Sequence, residues 1–165
     1  MIRAAASLCL AIAPNLAPGC PAPLPLEVAP EQIAELTRWI ERHSDYAASA
    51  LGPPPIFLCQ TGEVIAYEGH DVVVDSELRA AYDLRNDRIF LVLPWSASDP
   101  RNLSSLLHEL IHRAQFAARD WPCAAATEPE AYRLQEQWLA ERGIEAGFNW
   151  FRIEIEARCL SDHHP

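Results

Sequence analysis

Two histidines four residues apart, with a glutamate between them, are the residues of this chain whose types and spacing could do chemistry. They are His108, Glu109 and His112, in the helix-forming stretch Leu107-His108-Glu109-Leu110-Ile111-His112. On an α-helix, residues four apart share one face, about 6 Å apart along the axis. His108 and His112 can therefore direct two imidazoles at one tetrahedral ion, with Glu109 beside them toward a water. Two neutral nitrogen ligands, a general base and an open coordination position are what zinc-assisted hydrolysis requires. The same spacing also serves a histidine pair that caps or packs, so the surrounding chain has to decide.

A helix must hold these residues, and Asp99-Pro100 opens one, with an acidic N-cap and proline at the first helical position. Leu103, Leu107, Leu110 and Ala114 make a core-facing stripe, which leaves His108, His112 and Gln115 on a neighbouring face at the rim of the core. Trp121-Pro122-Cys123 closes this region. Thr127-Glu128-Pro129-Glu130 starts the next helix, with Ala131, Leu134, Trp138 and Leu139 apolar and Gly143 at its end. Thr127 and Glu130 have capping-box spacing. Upstream, Pro30 suits the start of a helix from Glu31 to about Tyr46, where Ile33, Leu36 and Ile40 recur at helical period and Trp39 and Tyr46 read as packing aromatics. Gly52-Pro53-Pro54-Pro55 breaks the chain. Strands are expected over Ile56–Gln60 and Val64–Tyr67, with Val72–Val74 extended. A hairpin is expected from Ala81–Leu84 and Ile89–Leu93 around Arg85-Asn86-Asp87-Arg88. The second of these is the more continuously apolar, and Pro94 ends it. Ile144–Leu160 reads as helix. The pattern predicts an α+β domain: a small mixed or antiparallel sheet packed on an N-terminal helix, the motif helix and the helix that follows.

At 165 residues, half of them hydrophobic and 22% charged, the chain suits one folded domain. The net charge of −10 argues against nucleic acid or an anionic membrane as partner. Met1-Ile2-Arg3 and the apolar run Ala4–Ala13 read as a secretory signal, too short to span a bilayer. Residues 1–19 are thus expected to be a signal, 20–30 a proline-rich tail and 31–165 the domain, exported to the periplasm or beyond. Removal of Cys9 with the signal leaves Cys20, Cys59, Cys123 and Cys159, an even number that suits one or two disulfides. Lipidation of Cys20 is the less favoured alternative. No Cys-x-x-Cys spacing is present, which disfavours a cysteine-ligated zinc.

A catalytic zinc needs a third protein ligand. The longer His-Glu-x-x-His-x-x-Gly-x-x-His form is absent, because Gln115 and Ala118 stand at its glycine and histidine positions. A glutamate on the following helix is the alternative, and Glu128 and Glu130 are both candidates. Over about Ile89–Leu139 the chain resembles the gluzincins, the thermolysin-like branch of zinc metallopeptidases. Their third ligand is often the glutamate of a Glu-x-x-Ala-Asp or Glu-x-x-Ala-Asn stretch, which Glu128 and Ala131 match and Tyr132 departs from. The resemblance implies His108, His112 and Glu128 as ligands of one Zn2+ and Glu109 as base, with Glu130 competing for the third position. Tyr132 removes the acidic group that commonly orients a ligand histidine, so another partner must orient it. Arg113 puts a charge where the family prefers none.

The expected activity is therefore hydrolysis of a peptide or protein substrate in an exported zinc metallopeptidase. An edge strand, for which Ile89–Leu93 is the candidate, would hold the peptide by strand addition. Tyr132 and His70 are candidates for stabilising the oxyanion. His43 reads as a solvated helix residue, and His163-His164 as a tail. A zinc protein without catalysis and a disulfide-stapled secreted binding module are the competing readings.

Overall fold

A computed structural model describes residues 28–159. The signal, the tail up to residue 27, Cys20 and His163-His164 lie outside the described residues. The described chain is α+β. Four helices run α1 (Pro30–His43), α2 (Pro100–Ala118), α3 (Glu128–Ala140) and α4 (Trp150–Glu156). Five strands run β1 (Ile56–Gln60), β2 (Val64–Tyr67), β3 (His70–Val73), β4 (Ala80–Asp83) and β5 (Arg88–Leu93).

The main sheet has the order β1-β5-β4, with β1 parallel and β4 antiparallel to β5. The strand expected at an edge is therefore the central one, and β4 is the edge strand beside α2. Both faces of β5 are covered, which is why its sequence is apolar without alternation. Ile89 and Leu91 point into the larger core with the helices, whereas Phe90 and Val92 join Cys59, Ile65 and Val74 in a second cluster. The β2–β3 hairpin covers that second face. Its two-residue turn, Glu68-Gly69, has φ of 50° and 82°, the left-handed pair that a tight hairpin of this twist requires.

α2 touches α1, α3, β4 and β5, with Leu106, Leu107 and Ile111 fully buried in the larger core. Asp99 caps it, its Oδ1 accepting from the Arg101 amide at 2.8 Å. α1 ends at His43, three residues short of Tyr46. Of the helix expected over Ile144–Leu160, only Trp150–Glu156 forms, capped by Asn149. His43 is only partly exposed: it stacks on Trp39 at 4.0 Å and its Nε2 lies 3.1 Å from Glu141. A disulfide joins Cys123, just before α3, to Cys159, just after α4. Cys59 is buried beneath the hairpin.

Arg113, the charge that looked out of place on α2, is buried and paired. Its guanidinium donates to both carboxylate oxygens of Asp87, at 2.6 and 2.8 Å, and to the carbonyls of Gly52 and Leu51 at 2.5 and 3.0 Å. It thus clamps the β4–β5 turn and the segment after α1 to one side of the motif helix. Arg113→Leu leaves those acceptors unpaired and is expected to destabilise the fold by roughly 2–3 kcal/mol. A lowered urea midpoint at unchanged slope checks this; an unmoved midpoint would show that the clamp contributes nothing.

Candidate metal centre

His108 and His112 stand one turn apart on α2, and their Nε2 atoms approach to 2.9 Å. Glu128 opens α3 and completes a triangle, with Oε2 3.2 Å from His108 Nε2 and Oε1 3.4 Å from His112 Nε2. Donors arranged tetrahedrally around zinc at 2.0–2.1 Å stand about 3.3 Å apart, so these spacings suit such an ion. Among the described residues, His108, His112 and Glu128 are the group of ligand atoms close enough to share a metal.

The surrounding hydrogen bonds settle which imidazole nitrogens carry protons. Gln115 Nε2 faces two pure acceptors, the Thr127 carbonyl and Glu130 Oε2, each at 3.0 Å. Its Oε1 must therefore face His112 Nδ1, at 3.0 Å, and that nitrogen donates. Thr127 Oγ1 spends its proton on the Ala124 carbonyl and accepts from the same Nδ1. Ser104 Oγ donates to the Arg101 carbonyl, so it accepts from Gln135 Nε2, and Gln135 Oε1 receives the proton of His108 Nδ1 at 3.0 Å. Both histidines in their neutral form then turn bare Nε2 lone pairs toward each other and toward a carboxylate. Such a cluster is repulsive until a proton or a metal cation enters it, and two imidazoles with one carboxylate form a donor set that zinc accepts.

Glu109 is buried beside this group. Burial pushes its carboxyl up and the Glu128 charge adds to that, against the opposing pull of His108, His112 and the Tyr82 backbone amide. A carboxylate raised in this way is a stronger proton acceptor than an exposed one. Burial would also raise Glu128, but hydrogen bonds and charge from His108 and His112 in their protonated form outweigh it and hold that carboxyl well below the usual range. The centre opens into a cavity of about 690 Å³ between β4 on one side and α2 and α3 on the other, of a size that takes small ligands.

Glu128 rather than Glu130 meets the histidines. Glu130 accepts instead from Tyr46 Oη at 2.5 Å and from Gln115, so it supports the centre from behind. The Thr127–Glu130 capping box does not form, because Thr127 is helical and its hydroxyl is engaged with Ala124 and His112. Tyr132 lines the cavity with its ring edge-on to His108 at 4.6 Å, backed by Phe148 at 4.8 Å. His70 is not brought to the site: it lies exposed on β3, outside the cavity, and Tyr67 of the same hairpin enters instead. The orienting partners that sequence reading left unnamed are Gln115 and Gln135. Gln115 follows His112 by three residues and Gln135 follows Glu128 by seven, both helical same-face spacings that could have pointed to them.

Glu128→Ala is expected to abolish stoichiometric zinc binding, whereas Glu130→Ala and Gln135→Leu are expected to weaken it about 10- to 100-fold, as loss of an outer hydrogen bond does. Chelator competition with a colorimetric zinc indicator measures this. Equal affinities in wild type and Glu128→Ala would remove Glu128 as a ligand.

No curated protein and no solved structure matches the chain. A family model does match, described as "Domain of unknown function (DUF6647)", over residues 26–165. The match spans most of the chain, which therefore belongs to the DUF6647 family.

Proposed function

We propose that this protein is a zinc-dependent peptidase. The observation that carries the reading is the convergence of two imidazole Nε2 atoms and the Glu128 carboxylate beside buried Glu109, in a cavity bounded by an edge strand. Zinc held by His108, His112 and Glu128 would polarise a carbonyl and acidify a water. Glu109 would take that water's proton and deliver it to the leaving amine. Gln115 and Gln135 would keep both imidazoles aimed while charge shifts. Tyr132 remains the candidate donor to the oxyanion.

β4, not β5, would present the substrate. Val92 N donates to the Arg79 carbonyl, so the register pairs Arg79, Ala81 and Asp83 inward with β5. Ala80 and Tyr82 consequently turn their backbone groups out of the sheet toward the cleft, where an extended peptide can add. The Cys123–Cys159 disulfide supports an oxidising compartment, and with it export. Among the described residues no helix is long and apolar enough to cross a membrane.

Glu109→Gln is expected to keep one zinc per chain while peptide hydrolysis falls by roughly 10²- to 10⁴-fold. Metal analysis and a quenched-fluorescence peptide library measured on the same preparation provide the check. Hydrolysis at the wild-type rate in Glu109→Gln would exclude Glu109 as the base.

A further inference from the structure

Resting on the peptidase reading, we propose that the cleft takes the free amino terminus of short peptides, so that the enzyme is an aminopeptidase. The edge of β4 is closed at the end where the metal group lies. Tyr82 is one of the two residues turned outward, and its carbonyl is already occupied. That carbonyl accepts from Tyr67 Oη at 3.1 Å, and the Tyr82 N–H lies close enough to the Glu109 carboxylate to favour that group's charged form. Tyr67 is fixed there by its hairpin, which Arg88 Nη2 ties through the Ala66 carbonyl at 2.5 Å and the Arg85 amide ties through Glu68 Oε1 at 3.2 Å. A peptide added to β4 can pair with Ala80 but cannot run on past Tyr82. The reacting bond, set by Glu109 beside Tyr82, therefore lies next to a chain end.

Charge decides which end. β4 and α2 run in the same direction. Near the start of both, Trp95, which follows β5, donates to the Asn102 carbonyl at 3.0 Å, and Val92 pairs with Arg79. Near the far end of both, Asp87 in the β4–β5 turn meets Arg113. Arg79 and Arg101 thus line the start of the cleft, with Glu77 as the single opposing charge there, and Tyr67 and Glu68 line the closed end. Glu68 uses Oε1 for the Arg85 amide, and Oε2 has no hydrogen-bond partner among the described residues. A peptide antiparallel to β4 places its amino terminus at Tyr82, where Glu68 can receive the ammonium group, and sends its carboxylate end toward the two arginines. The reversed peptide would set a carboxylate against Glu68, Glu109 and Glu128.

The test uses zinc-loaded protein and two hexapeptides of identical sequence, one with a free and one with an acetylated amino terminus, with products read by mass spectrometry. The free peptide is expected to lose residues from its amino end, and acetylation to lower kcat/KM by at least about tenfold. That preference is expected to collapse toward unity in Glu68→Gln, and Tyr67→Ala is expected to admit internal cleavage. Internal cleavage of both peptides at equal rates by wild type would overturn the closed edge and leave the peptidase reading standing. Wild type that holds one zinc and cleaves neither these peptides nor a random peptide library would overturn that reading and this inference together.

Discussion

Two imidazole nitrogens stand 2.9 Å apart with a carboxylate closing the triangle, and neither has a proton to offer the other while both rings are neutral. That constraint shapes everything around it. Each ring is fixed through its far nitrogen by a glutamine amide, and each amide is fixed in turn by groups that can only accept from it. Ser104 does so because its own proton is spent elsewhere, and the Thr127 carbonyl and Glu130 because they have none to give. Strands of hydrogen bonds from α2 and α3 therefore converge on one point, and their polarity leaves room there for positive charge alone.

The rest of the fold holds α2 still. It packs on α1, α3 and the sheet, and Arg113 clamps it to the β4–β5 turn. The disulfide secures the segment that leads into Glu128 to the end of α4, so the chain on both sides of Phe148 is anchored. Phe148 supports Tyr132, and Tyr132 supports His108. Neutral amides, Gln115 and Gln135, orient both imidazoles, so Glu128 and Glu109 are the carboxylates closest to them.

The hairpin gives the cleft its asymmetry. A plain edge strand would offer peptide groups along its whole length; here the Tyr67 hydroxyl occupies the outward carbonyl of Tyr82, beside the Glu109 carboxylate. The phenol keeps its proton firmly, pushed up to about 12 by burial and by the charges of Glu109, Glu68, Asp83 and Glu128, and so remains a donor to that carbonyl. One side of the cleft is thereby acidic and closed and the other is richer in arginine.

Local pattern by itself determined a good deal of this protein. Helical period defines α1, α2 and α3, and the Asp99-Pro100 start caps α2, since both act within a few residues of each other. The four-residue spacing puts His108 and His112 on one face in any helix, and the polar turn at Arg85–Arg88 makes the β4–β5 hairpin. What depends on distant partners was not legible. Glu128 and Glu130 are two residues apart with the same side chain, and only the direction in which α3 leaves Thr127 turns one toward the histidines and the other toward Tyr46. Strand order could not be read from β5, because a doubly buried strand and an apolar edge have the same composition until the covering hairpin is known. His70 and Tyr67 lie on one short hairpin, and its docking onto β4 decided which of them enters the cavity. Sequence determined which residues could bind a metal, because that follows from side-chain type and helical spacing. The tertiary structure decided which of them meet and which way each one points, because those follow from contacts between segments far apart in the chain.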